Sequence, residues 1–133
     1  MQKTHEWLNQ VGDELGFDNE HAAYAALRAT LHAVRDRLPV GLVAHLGAEL
    51  PLLIRGIYYD GWHPSVARLR ESHSTPFCDS VRRELQGHNG LQHVEDVARS
   101  VLRVFDQRVD PGQIGNVIDA MPEEARRLWR GAH

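Results

Sequence analysis

The chain of 133 residues has one cysteine, Cys78, and so cannot close an internal disulfide. An unpaired thiol persists best in a reducing compartment, which predicts a cytoplasmic protein. Long apolar runs are also missing. No stretch approaches the roughly 20 residues that span a bilayer, and the opening MQKTHEWLNQ lacks the apolar core of a signal peptide. Neither sign of charge dominates: 15 Lys and Arg against 18 Asp and Glu give a formal net charge of -3. Such a balance offers little long-range attraction to a nucleic-acid backbone or an anionic membrane. The locally basic stretches RLRESHS and SVRRELQ are diluted by Glu71 and Glu84, so neither nucleic acid nor membrane is an expected partner.

Assembled catalytic motifs are absent as well. The sequence has no G-x-S-x-G elbow, no glycine-rich phosphate loop and no H-E-x-x-H helix. Cys78 has His73 and His88 near it in sequence, but a nucleophile and its base must meet in space, and a buried inert thiol is the plainer expectation. His63, His73, Cys78, His88 and His93 gather in one region without the tight C-x2-C or H-x3-H pairs of structural zinc sites. Surface histidines, no metal and no cofactor are expected.

What the chain does have is helical periodicity. Its 42% apolar and 25% charged residues match ordinary globular proteins, and sustained apolar-polar alternation between hairpin signals is nowhere present. Thr4 is placed to cap a first helix bearing Trp7, Leu8, Val11 and Leu15, stopped by Gly16 with Phe17 behind it. Asp18 or Asn19 caps a second, whose stripe runs from Ala22 to Leu38 before Pro39. Val43, Leu46 and Leu50 mark a short third helix, and Pro51 begins a fourth carrying Leu53, Ile54, Ile57 and Tyr58. After the Asp60-Gly61 turn, residues 63–73 form a polar connection with one short helix around 66–70. Pro76 opens a helix with Phe77, Val81 and Leu85, and three more follow over 94–109, 111–120 and 122–129.

Compared with itself, the sequence repeats at an offset of 71. Residues 26–58 laid on 97–129 give six identities in 33 positions: Arg28 on Arg99, Leu31 on Leu102, Arg37 on Arg108, Gly41 on Gly112, Pro51 on Pro122 and Arg55 on Arg126. The same shift pairs Val34 with Phe105, Leu38 with Val109, Val43 with Ile114, Leu46 with Val117, Leu50 with Met121 and Ile57 with Leu128. One residue of slippage adds Trp7 on Phe77, Val11 on Val81, Glu14 on Glu84 and Leu15 on Leu85. Any two helical stretches share a 3.6-residue period, but periodicity alone does not align glycines and prolines. The expected architecture is all-α: one domain, 1–133, a compact bundle of about eight helices in two tandem copies, 4–62 and 74–131.

The run Arg55 to His63 concentrates three aromatics and both signs of charge around a helix end. The plain reading is that Tyr58 and Trp62 pack into the core while Asp60-Gly61 only turns the chain; Tyr58 pairs with Trp129, whereas Tyr59 and Trp62 lack an aromatic counterpart. Polar-tipped aromatics are favoured binding anchors, which makes Arg55, Tyr59, Asp60 and Trp62 the candidate ligand or partner surface. The repeated arginines Arg28, Arg37 and Arg55 are expected in structural ion pairs, although they are chemically able to hold an anion.

The stretch LHAVRDRLPVGLVAHLGAELPLLIRGIYYDGW, residues 31–62, resembles the signature of a bacterial family, domain of unknown function 2267. Its RDRLP, AELP and RGIYYDGW pieces carry the likeness, and VARSVLRVFDQRV with the Met121-Pro122 step fits the family's repeated design. The resemblance implies a small α-helical protein and no activity, substrate or catalytic residue. The second copy departs from it where WRGAH stands in place of YYDGW. The expected function is a non-catalytic module that binds a protein or small molecule. The competing class is an enzyme or metal protein with its pocket between the two copies.

Overall fold

A computed structural model describes residues 2–16, 19–64, 75–88 and 90–131. Among them are eight helices and no strand: α1 (Gln2–Leu15), α2 (Glu20–Arg35), α3 (Val40–Ala48), α4 (Leu52–Tyr59), α5 (Phe77–Glu84), α6 (Val94–Arg108), α7 (Pro111–Ala120) and α8 (Glu123–Arg130). The short helix expected around 66–70, together with Phe17, Asp18, His73 and Ser74, lies outside the described residues.

Helix α2 is the axis of the bundle. Its alanines at 22, 23, 25, 26, 29 and 33 are all buried, and each has the highest helix propensity while adding little bulk. Neighbouring helices can therefore approach from several sides. Asn19 caps the helix, its side chain accepting from the His21 N–H at 2.9 Å and the Ala22 N–H at 3.3 Å. The helix stops at Arg35, three residues before the expected end, because Pro39 disfavours the α conformation at Leu38 and the chain turns ahead of it. Leu38 remains buried in that turn.

Two other expectations about helix starts need correction. Helix α1 begins at Gln2, so Thr4 sits within its first turn instead of capping it. Pro51, Pro76 and Pro122 are cap residues with extended ψ between 149° and 158°, one position earlier than the first helical residue. A fixed φ near -60° serves either position, and the carbonyl of the capping proline still accepts the first helical hydrogen bond, as Pro51 does from Arg55.

One continuous core takes residues from every helix. Helix α1 packs on α2 and α6, and α5 packs on α6 and α2. Helices α2 and α6 touch each other, as do α3 and α7, while α4 lies against α1, α2 and α3 and α8 against α5, α6 and α7. Exchanging the first four helices for the last four reproduces nearly this whole set of contacts. Leu31 and Leu102 are both fully buried, as are Val34 and Phe105, Leu46 and Val117, and Tyr58 and Trp129. Gly16 and Gly87, 71 positions apart, both end a helix at positive φ (78° and 86°), where a side chain would be strained.

Candidate functional site

The aromatic helix end is built by α4 running down onto α2 and α3. Tyr58 is buried and donates its hydroxyl to the Val43 carbonyl at 2.8 Å. Burial, with Tyr59 adding to it, pushes its ionisation well above the ordinary tyrosine range. Tyr59 stands edge-on to Tyr58 at 4.9 Å between ring centroids and leans on Trp62 at 5.6 Å. Both Tyr59 and Trp62 are half-buried against the core. The Tyr59 hydroxyl lies over Gly47, where a built Cβ would come within 2.5 Å of it. Gly47 is therefore a close-approach glycine.

The other two expected site residues are engaged with the chain itself. Arg55 donates from Nε to the Gly47 carbonyl at 2.9 Å and from Nη2 to the Leu50 carbonyl at 2.9 Å, satisfying the orphan end of α3. The Asp60 carboxylate, largely exposed, accepts from Arg28 at 3.1 Å, and its backbone carbonyl accepts from Arg35 at 2.8 Å. Structural ion pairing, expected for all the repeated arginines, describes Arg28, whereas Arg55 is held by backbone carbonyls. Buried Arg37 forks to the Ala33 carbonyl (2.9 Å), the Thr75 carbonyl (2.7 Å) and the Ser80 hydroxyl (2.8 Å). Carbonyls on neighbouring turns offer a guanidinium the same acceptor geometry as a carboxylate without burying a second charge.

Sequence reasoning missed the cluster that Arg28 joins. Glu84, at the end of α5, accepts from Arg28 at 3.0 Å through one oxygen and faces His32 Nδ1 at 2.6 Å through the other. His32 is buried, and its Nε2 donates to the Ile57 carbonyl at 2.7 Å. Partial burial works against the Arg28 charge, but the Asp60 hydrogen bond and the Glu84 carboxylate outweigh it and raise the guanidinium above its ordinary value. Helices α2, α4 and α5 are thus tied at one polar point.

Around Arg99, 71 positions beyond Arg28, the described residues leave the surface open. A cleft of about 350 Å³ lies between the end of α1 and the face of α6, walled by Glu14, His93, Asp96, Arg99, Ser100 and Arg103. Arg103 is 3.8 Å from Glu14, and Arg99 turns back along its own helix to Asp96 at 3.3 Å and Glu95 at 3.6 Å. The Ser100 hydroxyl is directed at the Asp96 carbonyl (2.9 Å) and the Glu14 carbonyl (3.3 Å). A second depression, of about 480 Å³ near the start of α1, gathers Lys3, Glu6, Glu49 and Arg108 beside Arg55. The signal for the first cleft was present in the alignment of the two halves, since the offset of 71 sets Gly131 against Asp60.

Cys78 is buried, and burial, with the Glu124 carboxylate beside it, pushes its thiol up to about 11, which makes it a poor nucleophile at neutral pH. His63, His88 and His93 are exposed, and His73 lies outside the described residues. Among the described residues no three His, Cys, Asp or Glu side chains stand close enough to hold a metal ion. Nor is any described helix long and apolar enough to cross a membrane.

No curated protein matches the sequence. A family model described as "Uncharacterized conserved protein (DUF2267)" does match, over residues 4–128. That span runs from the first turn of α1 into the last turn of α8, and the chain belongs to this family.

Proposed function

We propose that the chain is a non-catalytic, cytoplasmic binding module that takes a small molecule in the cleft between α1 and α6. The observation that carries this reading is the convergence of Arg99, Arg103, Glu14, Asp96 and His93 on one concavity of about 350 Å³. That volume lies in the usual range for small-molecule sites, which combine a shaped pocket with a few placed polar groups. The competing enzyme reading requires an activated group in the same cleft. Among the described lining residues the one hydroxyl, on Ser100, is spent on two backbone carbonyls, which favours binding over catalysis.

Reading the halves as diverged copies of one unit is part of this proposal. The shared starts of α3 and α7 and bounds of α4 and α8, the equivalent proline caps Pro51 and Pro122, and the exchange pattern of contacts support it. A screen of chemically diverse small molecules by ¹⁵N NMR tests the cleft directly. Saturable shifts confined to residues of α1 and α6 are expected, and a screen that moves none of them rejects the reading.

A second reading, a partner surface at the end of α4, is favoured by one observation: Tyr59 and Trp62 stack as a half-exposed pair beside the exposed Asp60 carboxylate. Rigid aromatics of this kind suit interface anchors. Folded Tyr59→Ala and Trp62→Ala variants that capture the same species as wild type would reject it.

A further inference from the structure

We propose that the α1–α6 cleft binds a small carboxylic acid, whose carboxylate takes the seat on Arg99 that the Asp60 carboxylate takes on Arg28. This assignment rests on the cleft being a ligand seat and adds the chemistry of the ligand.

The offset of 71 maps three residues of the closed cluster onto the open one, Arg28 on Arg99, His32 on Arg103 and Asp60 on Gly131, and the one-residue slip that aligns the first helices sets Glu14 on Glu84. In the closed cluster Arg28 divides its two terminal nitrogens between Glu84 at 3.0 Å and Asp60 at 3.1 Å. Among the described residues, the open one has the cations and the first acid, and no second acid stands at the place of Asp60.

The chain nevertheless passes the same place. A Cβ built on Gly131 would lie 3.6 Å from Arg99 Nε, so Arg99 runs by this residue as Arg28 runs by Asp60. Gly131 has φ -67° and ψ -11°, a conformation open to any residue, so its glycine is not demanded by the backbone. What glycine does here is leave room.

Lacking a forward partner, Arg99 pairs with Glu95 and Asp96, whose side chains are 67% and 76% exposed. Exposed pairs along one helix are weak and screened, so an incoming carboxylate with bidentate geometry competes with them. The flanking Glu14 and Asp96 carboxylates repel a doubly charged phosphate more than a singly charged carboxylate. The chain's own occupant in the equivalent seat is a carboxylate.

The test follows the side-chain Nε–Hε resonances of Arg99 and Arg103 in ¹⁵N-labelled full-length protein, titrated with acetate and with propionate at constant ionic strength. Inorganic phosphate and methylammonium serve as the other arms. A saturable shift at Arg99 with the carboxylates is expected, lost in Arg99→Gln. Gly131→Asp supplies the carboxylate from within, and it should weaken binding by about tenfold or more while leaving the helical signal intact. The reciprocal variant Asp60→Gly should make the Arg28 resonance responsive to acetate. Carboxylates that shift Arg99 no more than chloride does, or that bind Gly131→Asp as well as wild type, overturn the proposal. If phosphate or methylammonium saturates the cleft where carboxylates fail, the carboxylate assignment falls and the cleft reading stands. If no compound moves a cleft resonance, both fall.

Discussion

Glu84 on α5 and His32 on α2 meet at 2.6 Å, 52 residues apart in the chain, with the far nitrogen of the ring donating to the Ile57 carbonyl on α4. Removing the carboxylate strands a buried imidazole and frees Arg28 from its shorter contact. Glu84→Ala is therefore expected to cost about 2 kcal/mol. Glu14→Ala, whose nearest cation is 3.8 Å away, should cost about 1 kcal/mol or less. Urea midpoints of the two variants decide the matter, and equal losses would contradict this account of the cluster.

The paired core positions give a second expectation. Leu31 and Leu102 are both fully buried, so truncating either to alanine should destabilise by about 2 to 5 kcal/mol. Chemical denaturation measures it, and a near-zero change at either site would show a core less tightly packed than described.

Gly47 offers a test whose sign reverses with background. A methyl there meets the Tyr59 hydroxyl at 2.5 Å and ring carbons at 2.9 and 3.0 Å, and the ring is held between Tyr58 and Trp62. Gly47→Ala should lose about 1 to 3 kcal/mol through overpacking. In a Tyr59→Ala background the clash is gone, and helix propensity alone should make the same substitution stabilising by about 1 kcal/mol. Additive effects in the double variant would refute the close approach.

The Cys78 thiol sets a pH dependence. Its folded value is raised from 9.0 to about 11, so above pH 9 the unfolded chain releases this proton while the folded chain keeps it. Stability contributed by the protonated thiol is complete below pH 9 and is lost as pH rises through about 11. Thermal melts of wild type and Cys78→Ala across that interval should show a shallower decline in the variant. Parallel curves would mean that the thiol does not resist ionisation.

Much of the helical framework was legible because its determinants are local. Proline marks the joints between α3 and α4 and between α7 and α8, and the apolar stripe places Val43 and Ile114, or Leu46 and Val117, without knowledge of the fold. Arg55 was misjudged because its acceptors are backbone carbonyls, which no side-chain pattern records. Arg37 reaches Thr75, 38 residues away, only after α5 docks on α2. The clue to the cleft was of another kind. It lay in an inequality between aligned residues, Asp60 against Gly131, whose meaning emerged only when Arg28 and Arg99 were seen beside them.

The sharing of first helices also bears on the integrity of the chain. Helix α1 packs on α6 as well as on α2, and α5 on α2 as well as on α6, so the core of each half is closed partly by the first helix of the other. A cut in the connection between the halves would therefore yield two fragments with complementary exposed faces, each supplying cover that the other needs. Such pieces are suited to reassembling with one another on mixing, as a split protein does. If duplication gave rise to the fold, the ancestral single unit would by the same logic have needed a second copy of itself to fold.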